Sequence, residues 1–140
     1  MKKEILNPPA LGAPPRFYSH AVALEGPAKL VYVSGQVSLD QDGKVIGAGN
    51  MRAQSEQVFK NLAHVLRAAG AGWDDVIKMN GYMVGLNAGN VAAYREGRAS
   101  HLKAKRLPAS TLVGVTSLVH PELLLEVEVV AAIAPKKKKR

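Results

Sequence analysis

The segment "PELLLEVEVVAAIA", residues 121–134, is apolar at nearly every position and has the β-branched content of a strand. A strand this rich presents more apolar surface than one small sheet can hide, so the chain is expected to associate with copies of itself. Beyond Glu122 at its start, two acids interrupt the run. Glu126 and Glu128 are two residues apart, and the period-two alternation of a strand puts both on one face. Inside so apolar an element they must be paired, hydrated or at an edge. Just upstream, "PASTLVGVTSLV" reads as another strand, joined to the last by a turn around His120–Pro121.

The layer that covers such strands is written in "NMRAQSEQVFKNLAHVLRAAG". Val58, Leu62, Val65, Leu66 and Ala69 fall on one face at 3.6 residues per turn, Asn50 suits the cap, and Gly70 suits the end. Before it, "FYSHAVALE" and "KLVYVSGQVSL" read as strands, with an Asp-Gly turn in "DQDGK". After it, "DDVIKMNGYMVG" reads as a strand in which Gly81 marks a bulge. Residues 1–15 hold four of the eight prolines and read as an extended lead-in. Strands and helices in this order predict an α+β domain over residues 1–135, a mixed sheet with two helices on one face.

A second helix is expected over about residues 90–104, and its stripe is unusual. Val91, Arg95, Arg98 and Leu102 share a face, so the side that should pack carries two guanidiniums. Either their stems cover apolar surface while the heads reach solvent or a subunit rim, or they form an anion site at an interface.

Charge and composition narrow the function classes. The formal charge is +8, but Lys136 to Lys139 and Arg140 supply five of the nineteen basic residues, and the rest is only mildly basic. That tail, residues 136–140, is a run of like charges after a proline and is expected to be disordered. With no cysteine, disulfides, thiolate metal sites and cysteine nucleophiles are excluded. His20, His64, His101 and His120 are scattered without ligand spacing, so no metal site is expected. Of the four, only His20 is near a candidate site segment. No apolar run has the length of a membrane span or a signal peptide, and the chain reads as cytoplasmic.

Taken together and in this spacing, "RFYSHAV", "YVSGQV", "LRAAG", "PAST" and "LLLEVEVVA" resemble the YjgF/Rid family, the reactive-intermediate deaminases, over roughly residues 14–134. The resemblance implies a chorismate-mutase-like protomer, a homotrimer with sheets inside and helices outside, and ligand clefts between protomers. It also implies hydrolysis of reactive enamines and imines to a 2-keto acid and ammonia, with no metal or organic cofactor. By position, Tyr18 corresponds to the family's cleft tyrosine. Ser34, Gly35 and Gln36 correspond to its pocket-lining strand end, and Glu126 to the acid that positions the attacking water.

At Ser110 the chain departs from the family. The deaminating branch reads Pro-Ala-Arg-Ser where this chain reads Pro-Ala-Ser-Thr, and there the arginine grips the substrate carboxylate. A serine hydroxyl is one rotatable donor in place of a planar, charged fork. The departure predicts altered substrate choice, with Ser110 and Thr111 as hydrogen-bonding walls, unless Arg95 or Arg98 brings a cation into the cleft from the second helix. Three functions follow: a hydrolytic deaminase using Glu126 and Tyr18; a non-catalytic trimer binding a small neutral or weakly acidic metabolite; and, less favoured, a ribonuclease or RNA-binding protein using the tail with Lys103, Lys105 and Arg106.

Overall fold

The computed structural model describes residues 1–103 and 106–136. The expected tail, apart from Lys136, and Lys105 of the basic run lie outside the described residues. The last strand is the organising element. It is β6 (Leu125–Ile133), and it lies inside a four-stranded sheet between β3 (Lys29–Val37) and β4 (Val76–Val84), antiparallel to both. Beyond β4 comes β5 (Ala109–Val115), parallel to β4 and forming the opposite edge from β3. The sequentially adjacent β5 and β6 are therefore not neighbours, because β4 separates them.

Alternation along β6 sorts the molecule into two faces. Leu125, Val127, Val129 and Ala131 are buried toward the helices, together with Val33, Met79 and Met83. Against them packs α1 (Met51–Ala68) through Val58, Phe59, Leu62 and Leu66. The Asn50 side chain accepts from Ala53 N at the start of α1, and Gly70 takes a positive φ of 78° after its end. Within the same buried face, Gln54 binds the carbonyls of Gly47 and Glu122 and the amide of Leu124, fixing the loop that leads into β6.

Two expectations are corrected and one is sharpened. The extended lead-in carries a strand: β1 (Lys2–Leu6) pairs antiparallel with β2 (Ala21–Glu25) in a small second sheet. Five residues of mixed polarity at the chain end gave no strand signal alone; partner β2 supplies the ladder. The second helix, α2, covers Ala88–Arg98 and stops short of residue 104, because the His101 ring turns back onto Phe59 and Trp73, with centroids 5.9 and 5.4 Å away. Gly81 sits in unbroken register with Val127 and Leu112. Its bareness serves a close approach, since a Cβ there would lie 2.8 Å from Leu112 Cδ1. The register shifts instead between Val33 and Gln36 and between Val76 and Lys78.

Candidate active site

Ser110 faces the helices from β5, in register with Met79. Around it a cavity of about 300 Å³ is lined by Phe17, Tyr18, Tyr94, Arg95, Arg98 and Leu112. The segment carrying Phe17 and Tyr18 is pinned to the start of β5 by Ser19. Its amide donates to the Pro108 carbonyl at 3.0 Å and its hydroxyl to the Leu107 carbonyl at 2.6 Å. This anchorage, far apart in sequence, puts the tyrosine beside the serine. His20 meets Tyr18 edge-on at 5.6 Å and does not line the cavity.

The α2 side of the cavity is cationic. Arg98 is only 4% exposed, so its head does not reach solvent within the protomer. One of its terminal nitrogens donates to the Phe17 carbonyl, and the other lies 3.9 Å from Met79 Sδ. The Arg95 guanidinium carbon is 3.9 Å from the centroid of the Phe17 ring, a cation–π geometry. Tyr94 closes the floor; burial raises its phenol above the ordinary value against the pull of neighbouring Arg98. Phe17 and Tyr94 were not selected from sequence. The signal available for Tyr94 was its spacing of four from Arg98, which puts both on one helix face.

Ser34, Gly35, Gln36 and Glu126 lie on the other side of the sheet, on edge strand β3 and its inner neighbour β6. Ser34, Gly35 and Gln36 occupy the irregular stretch of edge strand β3. Gly35 is a contact point with Glu126: a Cβ built on it would be 2.0 Å from Glu126 Oε1. Gly35 and Gln36 border a groove of about 750 Å³ that continues past Asp40, Gln57, Lys60 and His64. Glu126 and Glu128 do share a face, the one turned away from the helices, where they pair with Tyr82 and Asn80 of β4. Glu128 is engaged. It accepts from the Tyr82 hydroxyl at 2.5 Å and from Asn80 Nδ2 at 3.3 Å, and the first bond holds the Tyr82 phenol above its ordinary range.

Sequence neighbours thus part company. Thr111 points to the face opposite Ser110, where it accepts from Lys78 Nζ at 3.2 Å, so the two hydroxyls do not line one pocket in this chain. Tyr18, Ser110, Arg95 and Arg98 form one cluster near β5. Near β3 the candidates are not gathered into one cavity: Gly35 approaches Glu126 and borders the groove with Gln36, whereas Ser34 lines a separate cavity of about 300 Å³ with Lys78, Asn80 and Glu128. The open face between them carries Leu30, Tyr32 and Val113, exposed by 48, 76 and 42%. Among the described residues, no group of three His, Asp or Glu is arranged to hold a metal, and no helix is long and apolar enough to cross a membrane.

A mixed sheet with two helices on one face is the fold of the YjgF/Rid type. The chain belongs to this family: residues 10–133 match the profile described as Endoribonuclease L-PSP. It is 31% identical to a RutC family protein of Synechocystis over 134 residues, 95% of this chain and 98% of that one. Over 133 residues it is also 31% identical to the 3-aminoacrylate deaminase RutC of Acinetobacter baylyi, covering 95% of this chain and 100% of that protein. Among solved structures, a Rid family protein of unknown function, YyfB from Yersinia pestis, superposes with a TM-score of 0.82 at 33% identity, covering 95% of this chain and all of that one.

Proposed function

We propose that the protein is a cytoplasmic hydrolase of small reactive imines and enamines, acting in clefts that two copies of the chain complete within a homotrimer. The observation that carries this reading is the separation of the candidate residues: Ser110 lies on edge strand β5 with Tyr18, Arg95 and Arg98 around it, while Ser34, Gly35 and Gln36 lie on the opposite edge strand β3 beside Glu126 of β6. Neither half suffices alone; an edge of one protomer set against the opposite edge of the next makes a whole cleft. Relatives named as 3-aminoacrylate deaminase and 2-iminobutanoate/2-iminopropanoate deaminase support the reaction class.

The chemistry requires a positioned water and a base. Glu126 accepts a proton from water as its oxygen adds to the imine carbon, and the C=N π pair moves to nitrogen. Glu126 returns that proton to the nitrogen, giving the carbinolamine, which then collapses: its hydroxyl oxygen re-forms a carbonyl, the hydroxyl proton passes to nitrogen, the C–N bond breaks, and nitrogen leaves as ammonia. Tyr18 orients the substrate. An enamine enters after protonation at carbon. No redox partner is consumed. A ribonuclease function has less support, because Lys103 is engaged with Asp74 at 2.8 Å.

The test is Glu126→Gln, assayed for release of keto acid from an imine generated in situ. It is expected to keep the mass of the wild-type assembly and to lose about a hundredfold or more in kcat, the scale of a general base. Unchanged turnover would remove Glu126 from the mechanism. A wild type inactive on both imines and enamines would leave the metabolite-binding alternative.

A further inference from the structure

We infer that Arg95 and Arg98 of α2 form the anion-binding subsite of this cleft, gripping the carboxylate of a small 2-imino or 2-oxo acid from the helix side. The inference rests on the hydrolase-cleft reading for the identity of the ligand and on the local geometry for the site. Arg98 is a buried cation. The ion pairs among the described residues are Arg52 with Glu56 and Glu96, and Lys103 with Asp74, so neither Arg95 nor Arg98 has a carboxylate partner there. A guanidinium carries five N–H donors in a planar fork. Arg98 uses one on the Phe17 carbonyl and offers another only to a thioether sulfur, a weak acceptor.

A buried guanidinium without a counter-charge is costly even where its buried nitrogens have hydrogen-bond partners, as here, and an arriving anion removes that cost. The cavity lining contains two guanidiniums, the hydroxyls of Tyr18, Tyr94 and Ser110, and no acid. Glu96, the nearest acid in sequence, turns instead to Arg52 at 3.6 Å. The small residue at 110 belongs to the same arrangement. Ser110 is in register with Met79, whose sulfur touches Arg98, so a long cationic side chain at 110 would project toward the space the α2 guanidiniums occupy. The loss of charge on β5 and the presence of charge on α2 are complementary. Phe17 holds the pair in place, with Arg95 over its ring and Arg98 on its carbonyl.

Calorimetric titration of the native protein with 2-oxobutanoate and with its neutral amide provides the test. The acid is expected to bind at least about tenfold more tightly than the amide, and Arg95→Gln and Arg98→Gln each to lower acid affinity by roughly tenfold to a hundredfold, the scale of a charged hydrogen bond, leaving the amide unaffected. Equal binding of acid and amide by the wild type overturns the inference without any variant, which covers the case in which Arg98→Gln does not fold. Folded arginine variants that bind the acid as the wild type does overturn it as well. Arginine-dependent acid binding without imine turnover would instead refute the hydrolase reading and keep the subsite. Turnover of a carboxylated imine that survives both substitutions would do the reverse.

Discussion

Gly35 and Glu126 show how little space separates a structural requirement from a functional one. A Cβ at 35 would fall 2.0 Å from Glu126 Oε1 and 2.7 Å from its carboxyl carbon, so Gly35→Ala must displace the acid. The neighbour that gives way is the end of a flexible side chain. Gly35→Ala is therefore expected to keep the fold and secondary structure by circular dichroism while turnover falls toward that of Glu126→Gln; full activity in a folded Gly35→Ala variant would show that the position of Glu126 is unimportant. Ser110→Arg is expected to behave differently. It adds a third guanidinium to a cavity already holding two and should destabilise the protein by about 1–3 kcal/mol in urea unfolding, the usual cost of overpacking. Combining it with Arg98→Gln should recover most of that loss.

At the scale of elements, α2 is placed by its contact with α1. Gly97 is buried there, and a Cβ on it would lie 2.5 Å from Ser55 Cβ and Oγ and 3.1 Å from the Glu56 amide. The same contact is stitched by Ser55 Oγ, which donates to the Tyr94 carbonyl at 2.9 Å. Gly97→Ala is expected to cost about 1–3 kcal/mol by the same overpacking logic, and to weaken 2-oxobutanoate binding because Arg95 and Arg98 ride on the displaced helix. Its C-terminal turn is also pH-sensitive. Burial against Phe59 and Trp73 lowers the His101 imidazole from its ordinary 6.5. The unfolded chain thus takes up the proton first, so this contribution to stability is present above about pH 6.5 and is lost as pH falls toward the folded value. The slope of urea midpoint against pH in this window should flatten in His101→Phe, which keeps the ring and discards the proton.

In the whole molecule, one face of the four-stranded sheet is left without a helix. Leu30, Tyr32 and Val113 are exposed on it beside the Tyr82–Glu128–Asn80 network, an arrangement with apolar surface still to bury and polar groups already satisfied. Assembly through this face predicts three times 14.9 kDa by light scattering. Tyr32→Glu puts a charge where the protomer is 76% exposed, and it is expected to shift the mass downward without loss of helix and strand signal. A trimer that tolerates this charge would place the interface elsewhere, and a wild-type monomer at micromolar concentration would remove the shared cleft.

Much of this was determined by the sequence itself, wherever the physics is local. The α1 periodicity, its Asn50 and Gly70 boundaries, the apolar alternation of β6 and the shared face of Glu126 and Glu128 all follow from a repeat of 3.6 or 2 residues that needs no knowledge of partners. The tertiary structure alone decided what depends on which segments meet. It made a strand of Lys2–Leu6 by supplying β2, ended α2 at Arg98 by drawing His101 onto Phe59 and Trp73, and turned Gly81 from a bulge into a point of close approach. It also separated Ser110 from Thr111, brought Arg98 beneath Phe17 from 81 residues away, and left Glu126 on the inner strand β6, away from the β5 edge where Tyr18 sits. Residue types and spacing name the groups that can do chemistry. Burial and proximity are set by long-range packing, and no local pattern encodes which guanidinium ends up in the cavity and which in water.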